Sequence, residues 1–332
     1  MPFGDRPFDM PRPESVHTTL TTSPDEAAEY LREGKLVAFP TETVYGLGAD
    51  AFQVEAVEAI FEAKGRPADN PLIVHLAERT QLDRVVSAVP TVADRLLEVF
   101  APGPLTLILP KHPAVPSVVT AGLDTVGVRM PGHDVAQAFL HACGTPVAAP
   151  SANRSGRPSP TTWEAVEEDL GGRIACILKG GRTEAGVEST VLDCTESPPR
   201  VLRPGAVSVE HIEHVIGSVS VDGSPAEEES TPRSPGTRHR HYAPAAYVRV
   251  VDDPSDAKPG SDVGYIGLEA PGSSDEFLRV HVVENVEAYA RDLFSFFRAC
   301  DRAGCSVIYA QSVVPEGLGR ALQDRLERAA AR

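Results

Sequence analysis

Leu36-Val37-Ala38-Phe39-Pro40-Thr41-Glu42-Thr43-Val44-Tyr45-Gly46-Leu47-Gly48 opens the stretch on which the fold turns. Its first four residues are an apolar run of buried-strand length. The threonine-rich segment after Pro40, closing on two glycines, reads as a loop. Val54, Val57, Ile60 and Phe61 recur at helical spacing, so a helix follows. It stops at Lys64-Gly65-Arg66-Pro67, and Asn70-Pro71 leads into Leu72-Ile73-Val74, a second strand. Strand, loop, helix, cationic loop and strand make a crossover unit of a largely parallel sheet. In such sheets ligands gather beyond the carboxyl ends of the strands, where the Thr/Tyr/Gly loop would lie. Tertiary folding decides whether segment 64–70 reaches the same mouth.

Working outward, Ser23-Pro24-Asp25-Glu26 is a capped helix start. Residues 1–19, proline-rich and of mixed charge, read as a disordered arm. Strands are expected at 105–109, 126–129, 146–149, 174–178, 189–194 and 200–203. Helices are expected at 92–100, 135–143 and 163–170, with a short helical pattern at 78–86. This alternation predicts one α/β domain over 20–217. Residues 218–245 turn to Gly, Ser, Pro and Glu, then to Thr237-Arg238-His239-Arg240-His241-Tyr242-Ala243-Pro244, and read as a linker able to cover the first domain's mouth. From 246 to 332 the alternation resumes as a smaller α/β domain. Its strands are expected at 247–251, 263–266, 278–282 and 305–310, its helices at 286–303 and 318–330.

The 332 residues carry 47 acidic and 31 basic side chains, a formal net charge of −16. Such a chain repels phosphate backbones, which argues against coating nucleic acid and against stable tRNA binding. The five cysteines form no C-x-x-C pair, so neither a disulfide frame nor a zinc site is indicated, and a cytoplasmic setting fits. No apolar run is long enough for a membrane span, and the N-terminus lacks a signal peptide's apolar core.

No P-loop is present, and Gly317-Leu318-Gly319 lacks the rest of a dinucleotide fingerprint. The candidate chemistry lies in scattered loops: 41–45, 64–70, 125–129, 151–159, 188–190 and Arg203. Together they offer Lys64, Arg66, Arg129 and Arg203 with hydroxyls and an amide, a set suited to an anionic ligand. Singly, each residue has a plainer reading. A lone arginine at a strand end is a rim residue, His75 a core histidine, Ser151 and Asn153 turn formers, and Lys64 a cation at a helix C-terminus. Trp163, Phe294 and Phe297 read as core, and His239 and His241 lack metal-binding companions.

Jointly the loops resemble a known family. Pro40 to Leu47, Lys64-Gly65-Arg66-Pro67, Asn70-Pro71-Leu72, His75, Pro102-Gly103-Pro104-Leu105-Thr106, Val128-Arg129-Met130-Pro131, Ser151-Ala152-Asn153, Ser189-Thr190-Val191 and Arg203-Pro204-Gly205 are similar to the YrdC-like domain. The linker motif and second domain resemble the long, two-domain form of threonylcarbamoyl-AMP synthase. Where that family usually has Met-Lys-Tyr in the linker, this chain has Thr237-Arg238-His239. The resemblance implies an α/β fold with an open, twisted, mixed sheet, flanking helices and a large concave cavity, plus a smaller Rossmann-like domain. It implies an adenylyl-transferring enzyme, L-threonylcarbamoyladenylate synthase, joining L-threonine, bicarbonate or CO2 and ATP, with Mg²⁺ held through the phosphates rather than by side chains. A separate transferase complex then moves the group onto a tRNA adenosine beside the anticodon. By the same resemblance, Lys64 and Arg66 are catalytic and Thr43, His75, Arg129, Ala149 and Ser189 bind threonine. Lys64, Arg66, Asn70, Thr125, Ser151, Asn153, Ser159, Arg203 and Tyr242 bind ATP. Two rival readings stand beside this one: a non-catalytic RNA-binding maturation factor, and a carbamoyltransferase using carbamoyl phosphate.

Overall fold

The computed structural model describes residues 16–221 and 242–331. In the opening stretch Phe39 pairs with Gly46 and Val37 with Gly48, so strands Val37–Phe39 and Gly46–Asp50 form an antiparallel hairpin. This corrects the crossover reading: Gly46-Leu47-Gly48 is strand, and Ile73–His75 is not a neighbour of Val37–Phe39. The reason lies in packing. A β-carbon on Gly46 would meet the Phe39 ring at 3.2 Å, and one on Gly48 would meet it at 3.0 Å and Val147 at 2.8 Å. These glycines serve the close approach of an aromatic ring, not a turn.

Among the described residues eleven strands form the main sheet. From edge to edge they are Thr19–Thr21, Cys176–Leu178, Val37–Phe39, Gly46–Asp50, Val147–Ala149, Ile73–His75, Thr125–Arg129, Leu105–Pro110, Thr190–Asp193, Arg200–Arg203 and Ser220–Val221. Parallel and antiparallel pairs are mixed along it, so the sheet is not largely parallel. Helices Val54–Lys64, Thr91–Phe100 and Trp163–Leu170 bury Ile60, Leu96 and Val166 in one core. Pro24–Arg32 and Asp134–Cys143 bury Leu31 and Phe139 in another. Along Val37–Phe39, Ala38 joins the first core and its two neighbours the second, the period-two alternation of a sheet covered on both faces.

Several boundaries differ from expectation. Thr19–Thr21 pairs with Cys176–Leu178, and the Val16 N–H donates to the Gly172 carbonyl, so the sheet reaches into the expected arm. Ser220–Val221 pairs with Arg200 and Val201, past the expected linker start. The pattern at 78–86 is the 3-10 turn Arg79–Arg84. Helices Ser117–Thr120 and Val209–Ile216 were not foreseen. Residues 1–15 and most of the linker, including Thr237 to His241, lie outside the described residues.

The second sheet is wholly parallel, in the order Tyr247–Val251, Val307–Gln311, Gly260–Gly267, Phe277–Val282. Helices Val286–Ala303 and Leu318–Ala330 complete this Rossmann-like unit. Its apolar core takes in Val44 from the hairpin loop and Tyr242, so it is continuous with the floor of the first domain. All five cysteines are free and buried. Among the described residues no helix is long and apolar enough to cross a membrane.

Candidate active site

The hairpin loop after Pro40 is knotted by Thr41, whose Oγ1 lies 2.9 Å from the Thr43 hydroxyl and donates to the Val44 carbonyl at 2.6 Å. Tyr45 anchors it from below by donating to the Gly180 carbonyl at 3.0 Å. The loop is therefore preformed, with Thr43 fully buried at the head of the cavity.

Beside it stand the ends of Ile73–His75 and Thr125–Arg129, paired so that His75 faces Arg129 across the sheet. Arg129 is 5% exposed. Its Nη1 donates to Thr43 Oγ1 at 3.0 Å, its Nε donates to the Gly103 carbonyl at 3.3 Å, and Nη2 lies 2.8 Å from the Glu42 carboxylate. Burial alone would raise the Glu42 pKa, but the Arg129 charge and the Gly132 N–H bring it below the ordinary value. Glu42 is therefore an ionised partner. His75 is buried with Nδ1 3.2 Å from the Ile73 carbonyl. Burial and then the Arg129 charge hold its pKa down at about 3, so the imidazole is neutral near pH 7.

The loop 151–159, bridged to the hairpin at Gly46 and Ser151, forms a further wall. Lys64, at the C-terminus of its helix, donates from Nζ to the Ser151 and Asn153 carbonyls, both at 2.5 Å. The Ser155 N–H answers to the Lys64 carbonyl at 2.9 Å. Burial, then the Arg66 charge, holds the Lys64 amine well below an ordinary lysine. Asn153 tightens the loop by donating to the Arg154 and Arg157 carbonyls at 2.8 and 2.9 Å. Arg66 donates to the Asn70 carbonyl at 3.3 Å, while its Nε and both Asn70 side-chain amide atoms are buried with no hydrogen-bond partner among the described residues. Nearby, Arg203 Nη2 donates to the Ser189 carbonyl at 2.9 Å and to Ser189 Oγ at 3.2 Å, and Thr106 Oγ1 lies 2.8 Å from that hydroxyl. A β-carbon on Gly205 would lie 2.3 Å from both the Ser189 carbonyl carbon and the Thr190 nitrogen, so only glycine lets these two arms touch.

The second domain closes the site. Tyr242 is 5% exposed at φ 67°. Its ring is stacked on Phe294 at 5.5 Å, with the Arg325 guanidinium 5.0 Å from the ring centre. Arg325 Nε donates to Glu188 at 2.8 Å, and the other oxygen of Glu188 accepts from Ser159 at 2.6 Å.

These groups enclose about 640 Å³ of space not filled by atoms, part of it open to solvent. Eleven of the expected residues line it: Thr43, His75, Arg129, Ala149, Ser189, Arg66, Ser151, Asn153, Ser159, Arg203 and Tyr242. Lys64 and Asn70 do not; Lys64 stands one step behind, on the backbone of Ser151 and Asn153. Thr125 is not brought to the cavity. It pairs with Pro110 at the far end of its strand, four residues and roughly 13 Å from Arg129. Sequence reasoning placed Glu42, Arg157 and Glu188 in candidate loops without a role of their own, and left Arg325 out. Arg325 had a signal: it falls between Leu322 and Leu326 on the apolar stripe of its helix, where a charge needs a buried partner.

Among the described residues no group of three or more His, Cys, Asp or Glu side chains could hold a metal ion.

A family model described as "Telomere recombination" matches residues 29–205, and one described as "Threonylcarbamoyl-AMP synthase, C-terminal domain" matches 207–331. A threonylcarbamoyl-AMP synthase of Pyrococcus abyssi is 49% identical, over 91% of this chain and 92% of its own. One of Bacillus subtilis is 45% identical, over 92% of each. The crystal structure of P. abyssi Sua5 complexed with L-threonine superposes with a TM-score of 0.87 at 46% identity, over 95% of this chain and 97% of that one. Both halves of the chain, the mixed sheet with its cavity and the small parallel sheet behind it, place it in one family: the chain belongs to the two-domain threonylcarbamoyl-AMP synthases.

Proposed function

We propose that this chain condenses L-threonine, bicarbonate-derived CO2 and ATP to threonylcarbamoyl-AMP and diphosphate. The observation that carries the reading is convergence: Arg129, Arg66, Arg203, Ser151 and Ser189, far apart in sequence, line one cavity. Cations and hydroxyls on its two sides suit a carboxylate and a triphosphate held side by side. The L-threonine in the P. abyssi Sua5 structure supports threonine as the amino acid.

In this mechanism Arg129 forks onto the threonine carboxylate, with Thr43 and Glu42 fixing the guanidinium plane. The neutral His75, Ser189 and the Ala149 backbone frame the amine and hydroxyl. The neutral amine adds to CO2 and gives up one proton to solvent, leaving a carbamate. A carbamate oxygen then attacks the α-phosphorus, and diphosphate leaves. Two anions meet in this step, so fixed positive charge lowers the barrier. Arg66 and Arg203 supply it, Ser151, Asn153 and Ser159 orient the nucleotide, and Lys64 keeps their loop in shape. Mg²⁺, when bound, neutralises phosphate charge. Tyr242 shields the mixed anhydride from water.

We further place the reaction in the cytoplasm, with the product passed to a separate transferase complex that modifies tRNA. The test is diphosphate release from ATP with threonine and bicarbonate omitted in turn. Release is expected only when both are present. Release supported by carbamoyl phosphate instead, or a tight salt-sensitive tRNA complex without release, would overturn the reading.

A further inference from the structure

Two arginines of the second domain are buried, at 5% and 0% exposure, and both point into the first domain. Arg298, on helix Val286–Ala303, meets Asp169 with Nη2 at 2.7 Å and Nη1 at 3.2 Å, and Nη2 also donates to the Pro158 carbonyl at 2.6 Å. Asp169 accepts in turn from the Arg154 N–H at 3.2 Å and from Arg157. Arg325, on helix Leu318–Ala330, bridges Glu188 at 2.8 Å and the Pro204 carbonyl at 3.0 Å, and is also paired with Asp324. Glu188 holds Ser159 through its other oxygen.

Both arginines thus end on the same piece of the first domain. Asp169 carries Arg154 and Arg157, and Glu188 carries Ser159, so the pairs grip the loop 151–159 at its middle and its end. The Pro204 carbonyl adds the residue next to Arg203. Neither bonds to Thr43, His75 or Arg129, which are held by strand pairing and by Glu42 and Gly103; of the threonine groups the two arginines border only Ser189, beside Glu188 and bonded to Arg203. An anchor that only joined two domains could use any surface. These use the wall read above as the nucleotide's; losing Arg325 takes an ion-pair partner from buried Glu188, and losing Arg298 leaves buried Asp169 to Arg157.

We propose that Arg298 and Arg325 are positioning residues for the nucleotide. Through them the second domain sets the shape of the loop 151–159 and of Arg203, and so the binding of ATP, far more than it sets the binding of threonine. This role rests on the synthase reading above. It goes beyond that reading in giving the second domain a share in substrate binding.

The full-length chain is assayed by diphosphate release as wild type and as Arg325→Ala, Arg298→Ala, Arg325→Lys and Arg298→Lys, with threonine affinity measured separately by calorimetry. The ATP KM is expected to rise tenfold or more in each alanine variant, and less in the lysine variants, which keep the charge but not the fork. The threonine Kd is expected to stay within twofold of wild type. Folded variants with an unchanged ATP KM overturn the proposal. So does equal weakening of both ligands, which marks general loosening. If an alanine variant lacks wild-type near-UV circular dichroism, its lysine counterpart decides on the same split. A wild-type chain that releases no diphosphate with all three substrates overturns the synthase reading itself and the inference with it, an outcome distinct from an active enzyme whose variants show no split.

Discussion

Arg129 and Glu42 lie 2.8 Å apart, both nearly excluded from solvent, in the half of the cavity assigned to the amino acid. A threonine carboxylate at Arg129 therefore joins a cation that already has an anionic neighbour. Glu42→Gln leaves the guanidinium short of countercharge and costs on the order of 3 kcal/mol in the free protein. The thermal midpoint is expected to drop, then recover with saturating threonine by more than the wild type gains. Equal ligand-induced shifts would show that Glu42 does not bear on the carboxylate. Arg129→Ala removes the fork and is expected to weaken threonine binding by roughly 10- to 150-fold, from the 1.5–3 kcal/mol of a charged hydrogen bond.

His75 makes stability depend on pH. Its native pKa is depressed to about 3 from an ordinary 6.5. Above pH 6.5 the imidazole is neutral in both folded and unfolded states and contributes nothing. Below that, the unfolded chain takes up a proton that the native site refuses, so stability drains as pH falls from 6.5 towards 3. Urea midpoints of wild type and His75→Asn are expected to differ by a constant amount above pH 7. By pH 4.5 the wild type should have lost roughly 2–3 kcal/mol relative to the variant. A gap that stays level would mean that the ring titrates normally.

Lys64→Met keeps a long side chain but abandons the Ser151 and Asn153 carbonyls. Each buried acceptor left without a donor costs about 1–3 kcal/mol. The ATP KM is expected to rise about tenfold or more, with threonine affinity unchanged. A loss confined to kcat at saturating ATP would instead put the amine on the reacting phosphate.

Tyr242 separates two contributions. Tyr242→Phe keeps the ring between Phe294 and Arg325, whereas Tyr242→Ala empties a site worth about 3–5 kcal/mol. Gel filtration after a single turnover is expected to recover the adenylate with the protein in wild type and Tyr242→Phe, and to lose it in Tyr242→Ala. Full retention by the alanine variant would remove the shielding role.

Most elements were legible in the sequence because their signals are local. Trp163–Leu170 and Arg200–Arg203 match their expected bounds, and the second domain's four strands and two helices all occur. What failed depended on distant partners. Gly46 and Gly48 look like a turn until the Phe39 ring is placed over them. Thr125 and Arg129 share one short strand, and sequence alone does not say that only one end faces the cavity. The contact of Lys64 Nζ with the Ser151 and Asn153 carbonyls, nearly ninety residues away, has no local signal either. Glu188 and Arg325 are 137 residues apart in the chain, and nothing near either announces the other.

Gly205 sits against the backbone of residues 188–190 with no room for a single methyl group. Any larger residue there would pry Arg203 away from Ser189, so one changed codon would disturb two groups of the cavity together. A lineage drifting towards a roomier or differently charged nucleotide is therefore barred from starting at position 205, however exposed the rest of that turn to variation.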